Sequence, residues 1–407
     1  MHDARTTELV AWLTEAGLAG RSERDLLEGF CERVVAAGLP LGRVQLVVDT
    51  LHPVYEGRVV RWQQGEAVTT VSEYGRSNEE GPAAVAWRSS PFYHLLQSGE
   101  SMLHCRLDGE SPYDFPIFVE LRDAGMTDYI GIVTRFSEGG VIGEMDCVMT
   151  SWATAAPAGF EEAHLAAIRA LAPSLALAVK CVSLGQIAGT LVETYLGRDA
   201  GRRVLSGRIM RGIAERIGAV LWFSDLRGYT RITDTAPPEQ IIPLLNDYAE
   251  AVISAIHDAG GDVLKLMGDG ILAIFRAEER QRACNAALAA ASAARRNIDE
   301  LNRRRAQGGL PTTHMYLGLH VGEVFYGNVG SKDRLDFTVV GPAVNEVSRI
   351  AAMCRSADQE VLLSDAFVAA AGEERGRIVS VGRYALRGVG RPQELFTLEP
   401  EPEPEAG

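Results

Sequence analysis

Ala219-Val-Leu-Trp-Phe-Ser-Asp-Leu-Arg-Gly-Tyr-Thr230 opens the stretch that decides the fold. Its apolar run, Ala219–Phe223, reads as a strand, and the carboxylate of Asp225 follows directly. Further on, Val263–Met267 and Ile271–Phe275 flank Gly268-Asp269-Gly270, the pattern of a β-hairpin with Asp269 at its tip. If the two strands are neighbours, both carboxylates lie at one edge of one sheet. Paired hard oxygen ligands suit Mg²⁺ or Mn²⁺, which complete their shells with water and substrate phosphates. Two such ions about 3.5–4 Å apart can hold the attacking and leaving oxygens of an in-line displacement. Taken singly, the plainer readings are stronger: Asp225 as a helix cap and Asp269 as a turn residue.

The surrounding residues add to the pair. The loop from Leu226 to Thr230 leads into helical sequence, and Gly228 lets backbone approach a ligand closely. N–H groups at a helix start favour phosphate, so Gly228 and Thr230 are candidate substrate contacts. Lys265 falls inside an expected strand, where it either snorkels to the surface or meets a partner. Four residues before Asp269, it could donate to a ring nitrogen of a base. Downstream stands Arg334-Leu-Asp-Phe-Thr-Val-Val-Gly-Pro-Ala-Val-Asn-Glu-Val-Ser-Arg349, with a helix expected after Gly341-Pro342. Asn345 and Arg349 are four apart and share a helical face. An amide beside a guanidinium can orient a ribose and neutralise a phosphate, though a solvated polar face explains most such spacings.

The rest of this region is patterned as α/β. A helix opens near Pro237-Pro238-Glu239, with proline at a tolerated first-turn position, and stops before Gly260-Gly261. An alanine-rich helix is expected from about Ala283 to Arg304, and a strand at Tyr316–Val321. A second strand is expected at Leu335–Val340 and a helix over roughly Ala343–Met353.

Taken together and in order, F-S-D-L-R-G-Y-T, K-L-M-G-D-G, G-L-H-V-G-E-V-F-Y-G-N-V-G and D-F-T-V-V-G-P-A-V-N-E-V-S-R resemble the catalytic domain of class III adenylyl and guanylyl cyclases. The resemblance implies a ferredoxin-like, palm-type domain over 218–399. It implies that Asp225 and Asp269, with the backbone carbonyl of Leu226, hold two Mg²⁺ or Mn²⁺ per active site. It implies that Lys265 selects adenine at N1 and that Thr338 contacts the exocyclic amino group. Asn345 would orient the ribose and Arg349 would stabilise the α-phosphate. Arg387 stands where many members carry a triphosphate-binding lysine; arginine keeps the charge and offers a fork suited to phosphate. Many members carry aspartate where this chain has Thr338, and the Lys/Thr pair resembles the subgroup that includes bicarbonate-responsive enzymes.

The expected reaction is attack of the ribose 3′-oxygen of ATP on the α-phosphorus, giving cyclic AMP and expelling pyrophosphate. Positioning and charge stabilisation would supply most of the catalysis. Lysine donates to adenine N1, whereas guanine presents N1–H, which argues against the alternative reading of a guanylate cyclase. A catalytically idle ATP-binding regulator is the other. No P-loop with Lys-Ser/Thr and no G-x-S-x-G is present, against kinase and hydrolase readings. In this family the site spans a head-to-tail dimer. One chain supplies the aspartates and the other supplies Lys265, Thr338, Asn345, Arg349 and Arg387, so a homodimer is expected.

The remaining chain is read more coarsely. With 407 residues, two or three domains are expected. A formal charge of −14 leaves no global basic field for nucleic acid or anionic lipid. Six scattered cysteines without a C-x-x-C pair suggest reduced thiols and a cytoplasmic protein. No signal peptide is evident, and Arg169, Pro173 and Lys180 interrupt the most apolar region, against a membrane span. Residues 1–183 mix helical signals with strands at Val44–Val48, Tyr129–Thr134 and Asp146–Trp152. A long helix after Pro157 and Gly159 completes a resemblance to the end of a GAF-type sensor domain. The whole is thus a two-domain α+β and α/β chain: a GAF-like α+β sensor, a helical linker, and the cyclase domain.

The sensor's small-molecule or protein signal is unspecified, and a pure dimerisation platform is an alternative. His94, His104 and Cys105 are conceivable haem or metal ligands, but isolated residues of this kind are mostly structural. Residues 184–217 read as the linker, with Leu184, Ile187, Leu191 and Tyr195 spaced for a helix–helix seam and a basic stretch from Arg198 to Arg211 behind it. The seam would face a second copy or lie on the neighbouring domain. Residues 400–407 read as a solvated acidic tail.

Overall fold

A computed structural model describes residues 3–66, 69–75, 81–109, 112–137, 139, 141–372, 378–387 and 390–398. The expected tail, 400–407, lies outside them. The chain divides into two units, Met1–Leu191 and Val192–Gly407.

In the first unit α1 (Asp3–Leu18) and α2 (Glu23–Ala36) precede β1 (Arg43–Asp49), β2 (Tyr55–Gln63) and β3 (Thr70–Gly75). Then come α3 (Pro82–Arg88), α4 (Pro91–Ser98), β4 (Met102–Arg106), α5 (Pro116–Asp123), β5 (Asp128–Arg135), β6 (Cys147–Thr154) and α6 (Glu162–Leu196). The six strands form one antiparallel sheet in the order β3-β2-β1-β6-β5-β4. Strand alternation divides the side chains between two cores. Val44, Leu46 and Val48 join Leu13, Phe30 and Leu171 of the helices on one face. Val47, Tyr129 and Met149 join Phe92, Leu95 and Phe118 on the other.

The three expected strands correspond to β1, β5 and β6, the last beginning at Cys147, one residue later than expected. The strands β2, β3 and β4 were not anticipated. β2 carries Arg58 and Arg61, and β3 is largely exposed, so neither shows a clean apolar alternation. The helix after Gly159 is longer than expected: α6 has 35 residues and runs through Pro173. It is long and apolar enough, by length and composition, to cross a membrane, contrary to the reading of Pro173 as an interruption. Just over half of its most apolar stretch, 56%, is buried in the fold, as for a core helix. Leu184, Ile187 and Leu191, expected to form a seam, pack into the first core, whereas Tyr195 is 80% exposed.

The second unit begins with α7 (Arg198–Leu205), β7 (Ala214–Leu226), α8 (Tyr229–Thr235) and α9 (Pro238–Asp258). It continues with β8 (Asp262–Met267), β9 (Gly270–Arg276), α10 (Arg280–Gln307), β10 (Met315–Gly330) and β11 (Leu335–Val340). It ends with α11 (Pro342–Ala357), β12 (Val361–Ser364), α12 (Asp365–Ala371), β13 (Ile378–Tyr384) and β14 (Gln393–Leu398). The sheet runs β13-β14-β12-β10-β7-β9-β8, with β11 paired to β10. Its β7-α9-β8-β9-α10-β10 portion places fourth, first, third and second strands side by side, all antiparallel, the ferredoxin-like arrangement. β7 and β10 are far longer than the runs expected at Ala219–Phe223 and Tyr316–Val321. They pair from Met315↔Leu226 to Gly327↔Ala214, so polar ends such as Glu215 are held by the ladder and not by apolar burial.

The faces of β7 alternate. Val220 and Trp222 pack beneath α9 and α10. Ala219 and Leu221 share the opposite core with Val347 of α11 and Phe337 of β11. Gly318 lets α11 lie directly on β10. A Cβ there would sit 2.7 Å from the Ala351 nitrogen and 2.8 Å from the Val347 oxygen.

Candidate functional site

Asp225 lies at the end of β7, one turn of the pleat beyond Phe223. Its neighbour Ser224 faces α9, where its Oγ accepts from Trp222 Nε1 at 3.0 Å and lies 3.3 Å from Tyr248 Oη. Asp269 stands in the tight turn between β8 and β9, where Gly268 takes φ +65°. The turn folds against the end of β7, and the Leu226 N–H donates to Asp269 Oδ2 at 3.2 Å. The structure thus brings the two expected carboxylates to one sheet edge, with Leu226 between them.

The pair is electrostatically unfinished. Burial first, and the charge of Asp269 second, push the Asp225 carboxyl up to about 6. Asp225 Oδ1 is buried and has no hydrogen-bond partner among the described residues. A buried carboxylate oxygen with no donor, beside a second carboxylate, fits a hard divalent cation. Among the described residues no third His, Cys, Asp or Glu joins them, so water, substrate oxygens and backbone would complete a shell. Gly228 caps α8 at φ +74°, and Thr230 is exposed in that helix's first turn.

Lys265 has a partner that sequence reasoning missed: its Nζ is paired with the carboxylate of Asp336 on β11, both side chains 40% exposed. Thr338 lies two residues further along β11, on the same side of the strand as Asp336, while Phe337 and Val339 turn into the core. The signal for Asp336 was present: an acidic residue in period-two register with Thr338.

Asn345 and Arg349 both lie on α11, whose Val347, Ile350 and Ala351 are buried against the sheet. Asn345 is exposed and Arg349 half-buried. Neither side chain has a hydrogen bond or ion pair among the described residues. Arg387 is exposed just after Leu386, which anchors in a small core with Ile350 and Leu395. Among the described residues, no hydrogen bond or ion pair links the aspartate pair to the Lys265 group or to α11.

In the first unit, His104 Nε2 lies 3.0 Å from both oxygens of buried Asp128, which also accepts from the Tyr129 and Phe160 N–H groups. His94 packs against the rings of Tyr113 and Phe115. These contacts give His104 a carboxylate partner and His94 an aromatic one.

Residues 214–400 match the family described as the adenylate and guanylate cyclase catalytic domain. An adenylate cyclase of Anabaena cylindrica is 34% identical over 157 residues, 39% of this chain and 31% of that protein. An uncharacterized protein of Mycobacterium tuberculosis is 35% identical over 211 residues, 50% of this chain and 37% of that protein. Among solved structures, the adenylyl cyclase CyaB of P. aeruginosa aligns at 23% identity with a TM-score of 0.43, covering 47% of this chain and 98% of that one. The matches span about a third of the length of the two curated relatives. Residues 214–400 are thus similar to adenylate and guanylate cyclase catalytic domains.

Proposed function

We propose that this chain is an adenylate cyclase, forming 3′,5′-cyclic AMP and pyrophosphate from ATP. The observation that carries the reading is the Asp225–Asp269 pair, uncompensated at the edge of a ferredoxin-like sheet. The two carboxylates would hold Mg²⁺ or Mn²⁺, with the Leu226 carbonyl assisting. Bound there, the metal supplies charge neutralisation for the triphosphate and acidifies the 3′-hydroxyl.

The protein's own side chains do the rest. Lys265 donates to adenine N1 while its contact with Asp336 holds the ammonium in place. Thr338 accepts from the exocyclic amino group, which its hydroxyl can do because it both donates and accepts. Asn345 orients the ribose, Arg349 meets the charge that grows on the α-phosphate, and Arg387 takes the outer phosphates. Gly228 and Thr230 present backbone N–H groups and a hydroxyl to the triphosphate.

That no hydrogen bond or ion pair joins the aspartate pair to the Lys265 group or to α11 among the described residues supports a composite site in a head-to-tail homodimer. Residues 1–183 would act as a GAF-like sensor that biases the dimer through residues 184–217. Six cysteines, none of them in a disulfide, fit a reducing, cytoplasmic setting.

The test is product formation by the full chain from ATP or GTP with Mg²⁺ or Mn²⁺, beside Asp269→Ala. Metal-dependent cyclic AMP, absent in the variant, is expected. Cyclic GMP from GTP in its place would overturn the assignment of Lys265 and Thr338. Product that survives in Asp269→Ala would overturn the carboxylate pair.

A further inference from the structure

The first unit holds a cavity of about 410 Å³, within the range of small-molecule sites. It lies on the face of β1 that carries Gln45, Val47 and Asp49, opposite the face covered by α1, α2 and α6, and α3 and α4 contribute to its wall. Its apolar lining includes Val47, Val59, Trp87 and Phe92, and its polar lining includes Asp49, Glu56 and Tyr74.

Asp49 is built into this wall. The Tyr74 hydroxyl donates to its Oδ1. Gly57, on the strand between them, makes the contact possible, because any side chain there would collide with the Tyr74 ring and hydroxyl. The other Asp49 oxygen makes no hydrogen bond among the described residues. Burial, opposed by the Tyr74 hydrogen bond, holds the Asp49 proton affinity up, to about 6, and the charges of Glu56, Asp146 and Glu144 add to it. The carboxylate thus sits in a negative field, where a bound cation would favour its ionised form.

No lysine or arginine lines the cavity among the described residues. A phosphate or carboxylate ligand would meet repulsion there, with no compensating positive charge from the described lining. A cation would meet a carboxylate and aromatic side chains, each of which favours it. We propose that this cavity binds a small organic cation: a protonated amine on an apolar or aromatic body, its ammonium at Asp49 and its body against Trp87, Phe92 and Val59. This holds whether or not the second unit turns over ATP.

The probe is phenethylamine, measured by calorimetry on the full chain beside 2-phenylethanol and phenylacetate, which keep the ring and change the head group. The amine is expected to bind at least tenfold more tightly than the alcohol, and phenylacetate not to bind. Asp49→Asn keeps the Tyr74 hydrogen bond and is expected to weaken the amine at least tenfold. Trp87→Ala, at a half-buried position outside the sheet, is expected to weaken amine and alcohol together. Equal binding of phenylacetate and the amine would overturn the proposal. So would amine binding unaffected by both substitutions, or no binding of phenethylamine to the unsubstituted chain at millimolar concentration.

Discussion

Replacing Asp225 by asparagine should separate stability from activity. With metal chelated, the Asp225 carboxylate is partly buried beside Asp269, and its carboxyl is pushed up to about 6. For a fully buried group that shift corresponds to about 3 kcal/mol between the two protonation states. Water reaches part of this carboxylate, so screening reduces the figure to roughly 1–2 kcal/mol. An acid whose proton affinity is higher in the folded chain destabilises the fold once ionised. The parent should therefore lose stability as pH rises from about 4, the unfolded value, to about 6, the folded one.

The asparagine side chain carries no such titration, and Asp225 Oδ1 has no hydrogen bond to lose among the described residues. Any fixed cost of burying the amide is independent of pH. In EDTA the stability of Asp225→Asn relative to the parent should thus rise by roughly 1–2 kcal/mol between pH 4.5 and pH 7.5. In a unit of about 200 residues that is a relative gain of roughly 2–8 °C in melting temperature. Adding Mn²⁺ at pH 7.5 should raise the parent's melting temperature and leave the variant's unchanged, while the variant forms no cyclic nucleotide. Scanning calorimetry across pH, with and without metal, reads both effects. A pH-independent difference between the two proteins, or a variant that loses stability relative to the parent as pH rises, would refute the electrostatic account of the pair.

Three further outcomes are expected. Asp336→Asn frees the Lys265 ammonium; because the pair is half-exposed it contributes at most about 1 kcal/mol. Melting should stay within a few degrees while the KM for ATP rises up to roughly fivefold and preference over GTP falls, with Asp336→Glu recovering both. Arg349→Ala should cost about 10²–10³ in turnover, by analogy with loss of one transition-state donor. Mixed with inactive Asp225→Ala, it should regain activity, since each heterodimer would hold one intact site; a mixture as inactive as its parts would count against a composite site. Gly318→Ala places a methyl against the α11 backbone at Val347 and Ala351, which cannot rotate away. It should cost about 1–3 kcal/mol as overpacking does, and lower turnover by displacing Asn345 and Arg349; unchanged melting would refute the close approach.

Residue types, their spacing and short-range patterning were legible from the chain alone. The hairpin around Asp269, the helix carrying Asn345 and Arg349, and the strand leading to Asp225 each follow from local periodicity and glycine placement, and each stands in the fold. Elements held by long-range pairing were not legible. The charged strand β2 and the outer halves of β7 and β10 are extended because neighbouring strands satisfy their backbone groups, which no local apolar pattern announces. Likewise, α6 continues through Pro173 because burial of its flanking residues outweighs the lost hydrogen bond.

The same division holds for the chemistry. That Asp225, Asp269 and Lys265 are chemically able residues is written in the sequence. That Asp269 meets the Leu226 N–H, that Asp225 Oδ1 is left without a donor among the described residues, and that Lys265 is answered by Asp336 are decided by strands distant in sequence. The cavity at Asp49 is of this second kind. Gly57 and Tyr74 carry no motif, and only the pairing of β2 with β1 and β3 brings them to one carboxylate. Local conformational preference is encoded within a few residues, whereas burial, charge pairing and proton affinity depend on which distant groups the sheet makes neighbours.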